Sequence, residues 1–99
     1  MSGQLQGKVA IITGAGRGLG AAYAMAFANE GAKVCVSDVL DTAETVKAIS
    51  DVGGEAIGLS CDVTDMSACE AMVQATVDTF GGVDSLVNNA ALFVDIPRR

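Results

Sequence analysis

Histidine and tryptophan are absent from these 99 residues, tyrosine and proline occur once each, and basic residues number 6 against 12 acidic ones. Each shortage removes a class of function. Nucleic-acid binding calls for a basic patch, and a formal net charge of −6 argues against one. With no histidine to assist the three cysteines, a zinc site is not expected. Cys35, Cys61 and Cys69 form no Cys-x-x-Cys pair, so no metal is expected and the three read as small buried hydrophobes. The opening Met-Ser-Gly-Gln-Leu-Gln-Gly lacks a basic stretch leading into an apolar one and does not read as a signal peptide. The longest run of small apolar residues, Ala21 to Ala28, falls far short of the ~20 needed to span a membrane. The expectation is a soluble cytoplasmic protein with neither membrane nor nucleic acid as partner, and of one domain or less.

What the chain does have is concentrated between Lys8 and Gly20. Val9 to Ile12 is a short apolar run rich in β-branched residues, which reads as a buried strand. Thr13 and Gly14 break it, and glycine recurs at 14, 16, 18 and 20. Beyond the turn, Leu19, Ala22, Tyr23, Ala26 and Phe27 fall on one face of a helix. A strand, a glycine turn and a helix together suit a phosphate. Glycine permits positive φ and close backbone approach, and the helix N-terminus offers amide donors with a favourable dipole. The same pattern also occurs in ordinary strand-to-helix turns.

The remainder repeats the alternation. Helix one should end near Glu30 with Gly31 as its left-handed cap, followed by a strand over Lys33 to Ser37 that stops at Asp38. Asp38 lies 18 residues after Gly20. An acid about 20 residues after the glycine turn, closing the second strand, is where a ribose-binding carboxylate belongs; an aspartate here can also simply cap a turn. Asp41-Thr42-Ala43-Glu44 suggests a capping box for a second helix, with Ala43, Val46 and Ile49 facing the core and Gly53-Gly54 ending it. A third strand runs from Ala56 to Leu59 or Ser60. Thr64 or Asp65 caps a third helix, whose stripe is Cys69, Met72, Val73, Thr76, Val77 and Phe80. Gly81-Gly82 ends that helix, and Ser85-Leu86-Val87 forms strand four. The order βαβαβαβ predicts a Rossmann-type, doubly wound α/β parallel sheet with strand order 3-2-1-4, in which strand four has no outer partner.

The spacing Thr13-Gly14-x-x-x-Gly18-x-Gly20 resembles the Thr-Gly-x-x-x-Gly-x-Gly motif of the short-chain dehydrogenase/reductase family. Asp62-Val63 after strand three and Asn88-Asn89-Ala90 at the end of strand four match two further motifs of that family, in the same order. The resemblance covers residues 7 to 91 and implies a cofactor site made by Gly14, Arg17, Gly18, Leu19, Asp38, Asp62, Val63, Asn89, Ala90 and Ala91. In that reading Asp62 and Val63 border the adenine, Asn89 and Ala90 border a cofactor ribose, and Asn88 ties neighbouring strands together. Ala91 stands where the family has a last glycine, and Ser85 where it has an aliphatic residue. Arg17 is of a kind frequent in members that use NADP, whereas Asp38 points to NAD. Asp38 weighs more, because a carboxylate repels a 2′-phosphate directly.

The resemblance also implies what is missing. The family's chemistry rests on a serine, a Tyr-x-x-x-Lys pair and a further asparagine later in the chain. Here Tyr23 is followed four residues on by Phe27, so no catalytic residue is expected within these 99. The chain then reads as the N-terminal, cofactor-binding part of one dinucleotide-binding domain in an NAD-dependent oxidoreductase. Its partners would be an alcohol or carbonyl substrate, the remaining half of the same protein, and further copies of itself. The alternative is a nucleotide-binding or interaction module without catalysis.

Overall fold

The computed structural model describes residues 3–16 and 18–88. Seven elements alternate: β1 (Val9–Thr13), α1 (Gly18–Asn29), β2 (Lys33–Asp38), α2 (Ala43–Asp51), β3 (Glu55–Ser60), α3 (Met66–Phe80) and β4 (Ser85–Asn88). All strand pairs are parallel, and the sheet order is β3-β2-β1-β4, the predicted one. No described helix is long and apolar enough to cross a membrane.

The strands' period of two divides the core between the sheet's faces. Ile12, Val34 and Val36 point to one side and pack with Ala24 and Ala28 of α1 and Ile49 of α2. Ile11 and Cys35 point to the other and pack with Cys61 and with Met72 of α3. Ile11 and Ile12 are completely buried, and each such side chain stabilises the fold by about 1.5–3 kcal/mol. Every residue of β1 is buried, as a central parallel strand covered on both faces requires.

The helices differ from expectation in detail. In α1 the buried residues are Gly20, Ala24 and Ala28, while Leu19, Ala22 and Ala26 are exposed. Tyr23 and Phe27 only flank the core. The helix is apolar almost all round, so hydrophobicity does not select a face. Close approach to the sheet does, and it selects the smallest residues at i, i+4, i+8. In α2, Thr45 and Ile49 are buried and Ala43 is exposed. Thr42 is its N-cap without a side-chain bond, and Asp41 instead accepts the Ala43 amide at 2.9 Å. The buried members of the α3 stripe are Met72 and Thr76, with Val73 outside it at 38% exposure. Asp65 caps α3, accepting the Ser67 and Ala68 amides. Gly81, at φ +93°, closes it. Cys35 and Cys61 are buried as expected, but Cys69 is only half-buried.

The two ends of β1 are fastened to β4. Val9 donates its amide to Asp84 Oδ2 at 2.8 Å, and Asp84 returns its own amide to the Val9 carbonyl at 2.8 Å. At the other end the Thr13 hydroxyl donates to Asn88 Oδ1 at 2.9 Å, the tie between strands implied for Asn88.

Candidate nucleotide site

All four strands run in one direction, so their carboxyl ends share one rim of the sheet. Gly14 follows β1 there, Asp38 closes β2, Asp62 and Val63 follow β3, and Asn88 closes β4. Arg17, Asn89, Ala90 and Ala91 lie outside the described residues.

The glycine turn has a left-handed residue at each end, Gly14 at φ +64° and Gly18 at φ +65°. An L side chain is strained in that conformation. A Cβ on Gly18 would meet nothing within 4 Å, so the space beside it is open, and α1 starts at this residue. An open space at a helix N-terminus is what an anionic group requires. Leu19, 49% exposed, stands at its margin.

Between these two residues lies a feature that local sequence did not reveal. Gly16 donates its amide to Asp38 Oδ2 at 2.8 Å. Its carbonyl accepts the buried Thr45 hydroxyl at 3.1 Å. One residue of the turn is thus held by β2 through its amide and by α2 through its carbonyl. Gly16 must be glycine for space rather than φ: a Cβ would come within 2.9 Å of both Asp38 Oδ2 and the Asp41 carbonyl oxygen. Ala15 adds a bond to the Ser37 carbonyl at 3.0 Å. The only hint of Thr45 in the sequence is a hydroxyl among the residues of a short helix, and nothing local names its partner 29 residues away.

Asp38 therefore both caps a turn and reaches the glycine loop. Its Oδ1 accepts the Leu40 amide at 3.0 Å while Oδ2 takes Gly16. The carboxylate is oriented before any ligand arrives, and each oxygen retains acceptor capacity. Beside it a cleft of about 400 Å³ is lined by Gly16, Leu40, Asp41 and Glu44. The end of β3 is fixed to the end of β2 through the Cys61 amide and the Asp38 carbonyl, 3.1 Å apart. Asp62 is exposed, and its Oδ1 accepts both the Thr64 hydroxyl at 2.7 Å and the Thr64 amide at 2.9 Å. Those two bonds, the hydroxyl first, hold its carboxyl below the ordinary aspartate range. Among the described residues no group of three or more acidic or cysteine side chains could hold a metal.

A sequence model of the short chain dehydrogenase family matches residues 8–98. The chain belongs to the short-chain dehydrogenase family. It is 48% identical over 90 residues to galactitol 2-dehydrogenase of Agrobacterium fabrum, covering 91% of this chain and 35% of that protein. It is 43% identical over 91 residues to sorbitol dehydrogenase of Cereibacter sphaeroides, again covering 91% of this chain and 35% of the relative. The crystal structure of a hydroxysteroid dehydrogenase from Escherichia coli superimposes with a TM-score of 0.84 at 41% identity, over 87% of this chain and 37% of that one. The chain thus spans about a third of the length of the short-chain dehydrogenases it matches. It is a portion of the family's α/β fold, and membership of the family implies a NAD(P) cofactor.

Proposed function

We propose that this chain supplies the cofactor-binding part of an oxidoreductase that moves a hydride between NAD and the carbon of a hydroxyl or carbonyl group. The observation that carries the reading is the Asp38 carboxylate, fastened to the Gly16 amide at 2.8 Å and so presented at the mouth of the glycine turn. Gly14, Gly18 and the first turn of α1, with Arg17 and Leu19 beside them, would receive the pyrophosphate. Asp38 would accept hydrogen bonds from the adenosine ribose. Asp62 and Val63 would border the adenine, and Asn89, Ala90 and Ala91 the other ribose. When bound, the dinucleotide gives or takes the hydride. The residues of this chain bind and orient it and contribute no proton-transfer group.

Three carboxylates favour NAD over NADP. Asp38 ends β2, and Asp41 and Glu44 line the adjoining cleft. A 2′-phosphate placed among them meets like charge, worth a few kcal/mol at ~4 Å and an effective dielectric near 20, and less where solvent screens it. The domain reading is that residues 1–99 form the N-terminal part of one Rossmann domain, with the rest of the protein lying along the outer edge of β4 and carrying the catalytic groups. The names of the relatives span galactitol, sorbitol and hydroxysteroids, so the substrate class common to them is an alcohol or its carbonyl counterpart.

Calorimetric titration of the intact protein with NAD and with NADP tests this. NAD should bind at least about tenfold more tightly, and Asp38→Ala should shrink the difference. Equal affinities would remove Asp38 from the ribose. Binding of neither would end the nucleotide reading.

A further inference from the structure

The mechanism above leaves the cysteines unused, yet two of them meet. Cys61 follows β3 directly, and Cys69 lies in α3 three residues from its start. Their sulfurs are 4.0 Å apart. A disulfide requires about 2.05 Å, so closure needs a movement of about 2 Å. Backbone bonds fix both residues where they stand: Cys61 to the Asp38 carbonyl at 3.1 Å, Cys69 to the Asp65 carbonyl at 3.0 Å. The approach can therefore be made by side-chain rotation within a frame that already points the sulfurs at each other.

The two thiols differ in ways that assign them roles. Cys69 is half-buried, while Cys61 is 4% exposed. An oxidant in solution reaches Cys69 first. Burial pushes the Cys61 thiol up, and Cys69 and Asp62 push it the same way. The Ser37 hydroxyl opposes them. That hydroxyl is completely buried and has no conventional hydrogen-bond partner, an uncommon state for a native polar group. Its effect on Cys61 is that of a donor to the sulfur, and it is outweighed by burial. Cys35, completely buried on the same face of the sheet, is sealed from solvent and makes an internal control.

We propose that Cys61 and Cys69 form a reversible oxidation site, closed to a disulfide by hydroperoxides and reopened by thiol reductants. The Cys69 sulfur, having lost its proton to solvent, attacks one peroxide oxygen. The S–O bond forms, the O–O bond breaks, and the departing oxygen leaves protonated as water or an alcohol. The Cys61 sulfur then attacks the Cys69 sulfenic acid, its proton passing to the departing hydroxyl. The S–S bond forms, the S–O bond breaks, and hydroxide leaves as water. The two sulfurs give up two electrons in all, and the peroxide takes both. The closed loop carries Asp62 and Val63, but the proposal stands apart from the nucleotide reading, since its readout is a peptide mass.

The test uses the intact, pre-reduced protein, exposed to hydrogen peroxide, blocked with N-ethylmaleimide under denaturing conditions and cut on the amino side of aspartate. Cleavage before Asp51, Asp62, Asp65 and Asp78 places Cys61 and Cys69 on separate peptides, 51–61 and 65–77. The expected product is those two peptides joined, separating on treatment with dithiothreitol, while Cys35 carries maleimide. In Cys69→Ser the oxidant loses its entry point and Cys61 should remain maleimide-reactive. Recovery of both Cys61 and Cys69 as maleimide adducts after peroxide would overturn the proposal. So would Cys69 taken to sulfinic acid with Cys61 still free.

Discussion

β1 and β4 lie side by side in the same sheet, and both read in sequence as short apolar strands. Ile11 and Ile12 of β1 are completely buried, whereas Leu86, the pairing partner of Ile11, is 57% exposed. The difference does not come from the side chains. β1 has β2 on one edge and β4 on the other, with helices over both faces. β4 has a neighbour on one edge only among the described residues, and its burial is that of a surface segment. An apolar strand acquires its energetic weight from its place in the sheet. A strand of buried type left at an edge is a surface that invites pairing.

The largest effect should come from the sealed strand. Ile12→Ala removes a completely buried side chain and should cost about 2–5 kcal/mol in urea unfolding. A loss below about 1 kcal/mol would mean that β1 is not the centre of the core.

Next is the hold of α2 on the glycine turn. Thr45→Val keeps the shape but leaves the buried Gly16 carbonyl without its donor, a loss of about 1–3 kcal/mol. Thr45→Ser should recover most of it, and wild-type stability in the valine variant would show that the turn is not held from α2.

The exposed strand gives a smaller number. Leu86→Ala should change the stability of residues 1–99 by no more than about 0.5 kcal/mol. In a longer protein with another strand along β4 the same substitution should cost several times more. Equal costs in the two contexts would remove the reading of β4 as an edge awaiting a neighbour.

The smallest effect belongs to Asp62, which is fully exposed, and it is read through pH. Its folded pKa lies below the ordinary aspartate value of 3.8. The stabilisation from Thr64 is therefore complete above that value and is lost as pH falls through the folded one. The stability difference between wild type and Asp62→Ala should be constant near neutrality and narrow in acid. A difference that widens in acid would reverse the sign of the assignment.

Strand positions, parallel order and helix ends were legible in the sequence because local physics writes them. Short apolar runs stop at Asp38 and Ser60, and left-handed glycines stand at Gly31 and Gly81. The sequence narrows the α3 cap to Thr64 or Asp65, and Asp65 fills it. The inward face of α1 was not legible. When nearly every residue is apolar, periodicity carries no direction, and packing distance decides for Gly20, Ala24 and Ala28. The grip on Gly16 was hidden for another reason. Its two partners, Asp38 and Thr45, come from elements 22 and 29 residues away, and spacing rules describe neighbours. Asp38 could be named from its distance to the glycines. Its bond to Gly16 could not, and neither could the meeting of Cys61 with Cys69.

The reciprocal bonds between Val9 and Asp84 bear on the order in which the chain assembles. Ile11 meets Cys35 on one side and Leu86 on the other, so the second closure gathers about three times as much chain as the first. Logarithmic scaling of closure entropy makes it about 1 kcal/mol harder. As the polypeptide leaves the ribosome, β1, β2 and β3 can pair while the segment carrying Asp84 is still being made. Until that aspartate arrives, β1 has an open side. Capture of Asp84 by Val9 is then the late, long-range step, and a lesion at Asp84 should slow refolding more than its single pair of hydrogen bonds would suggest.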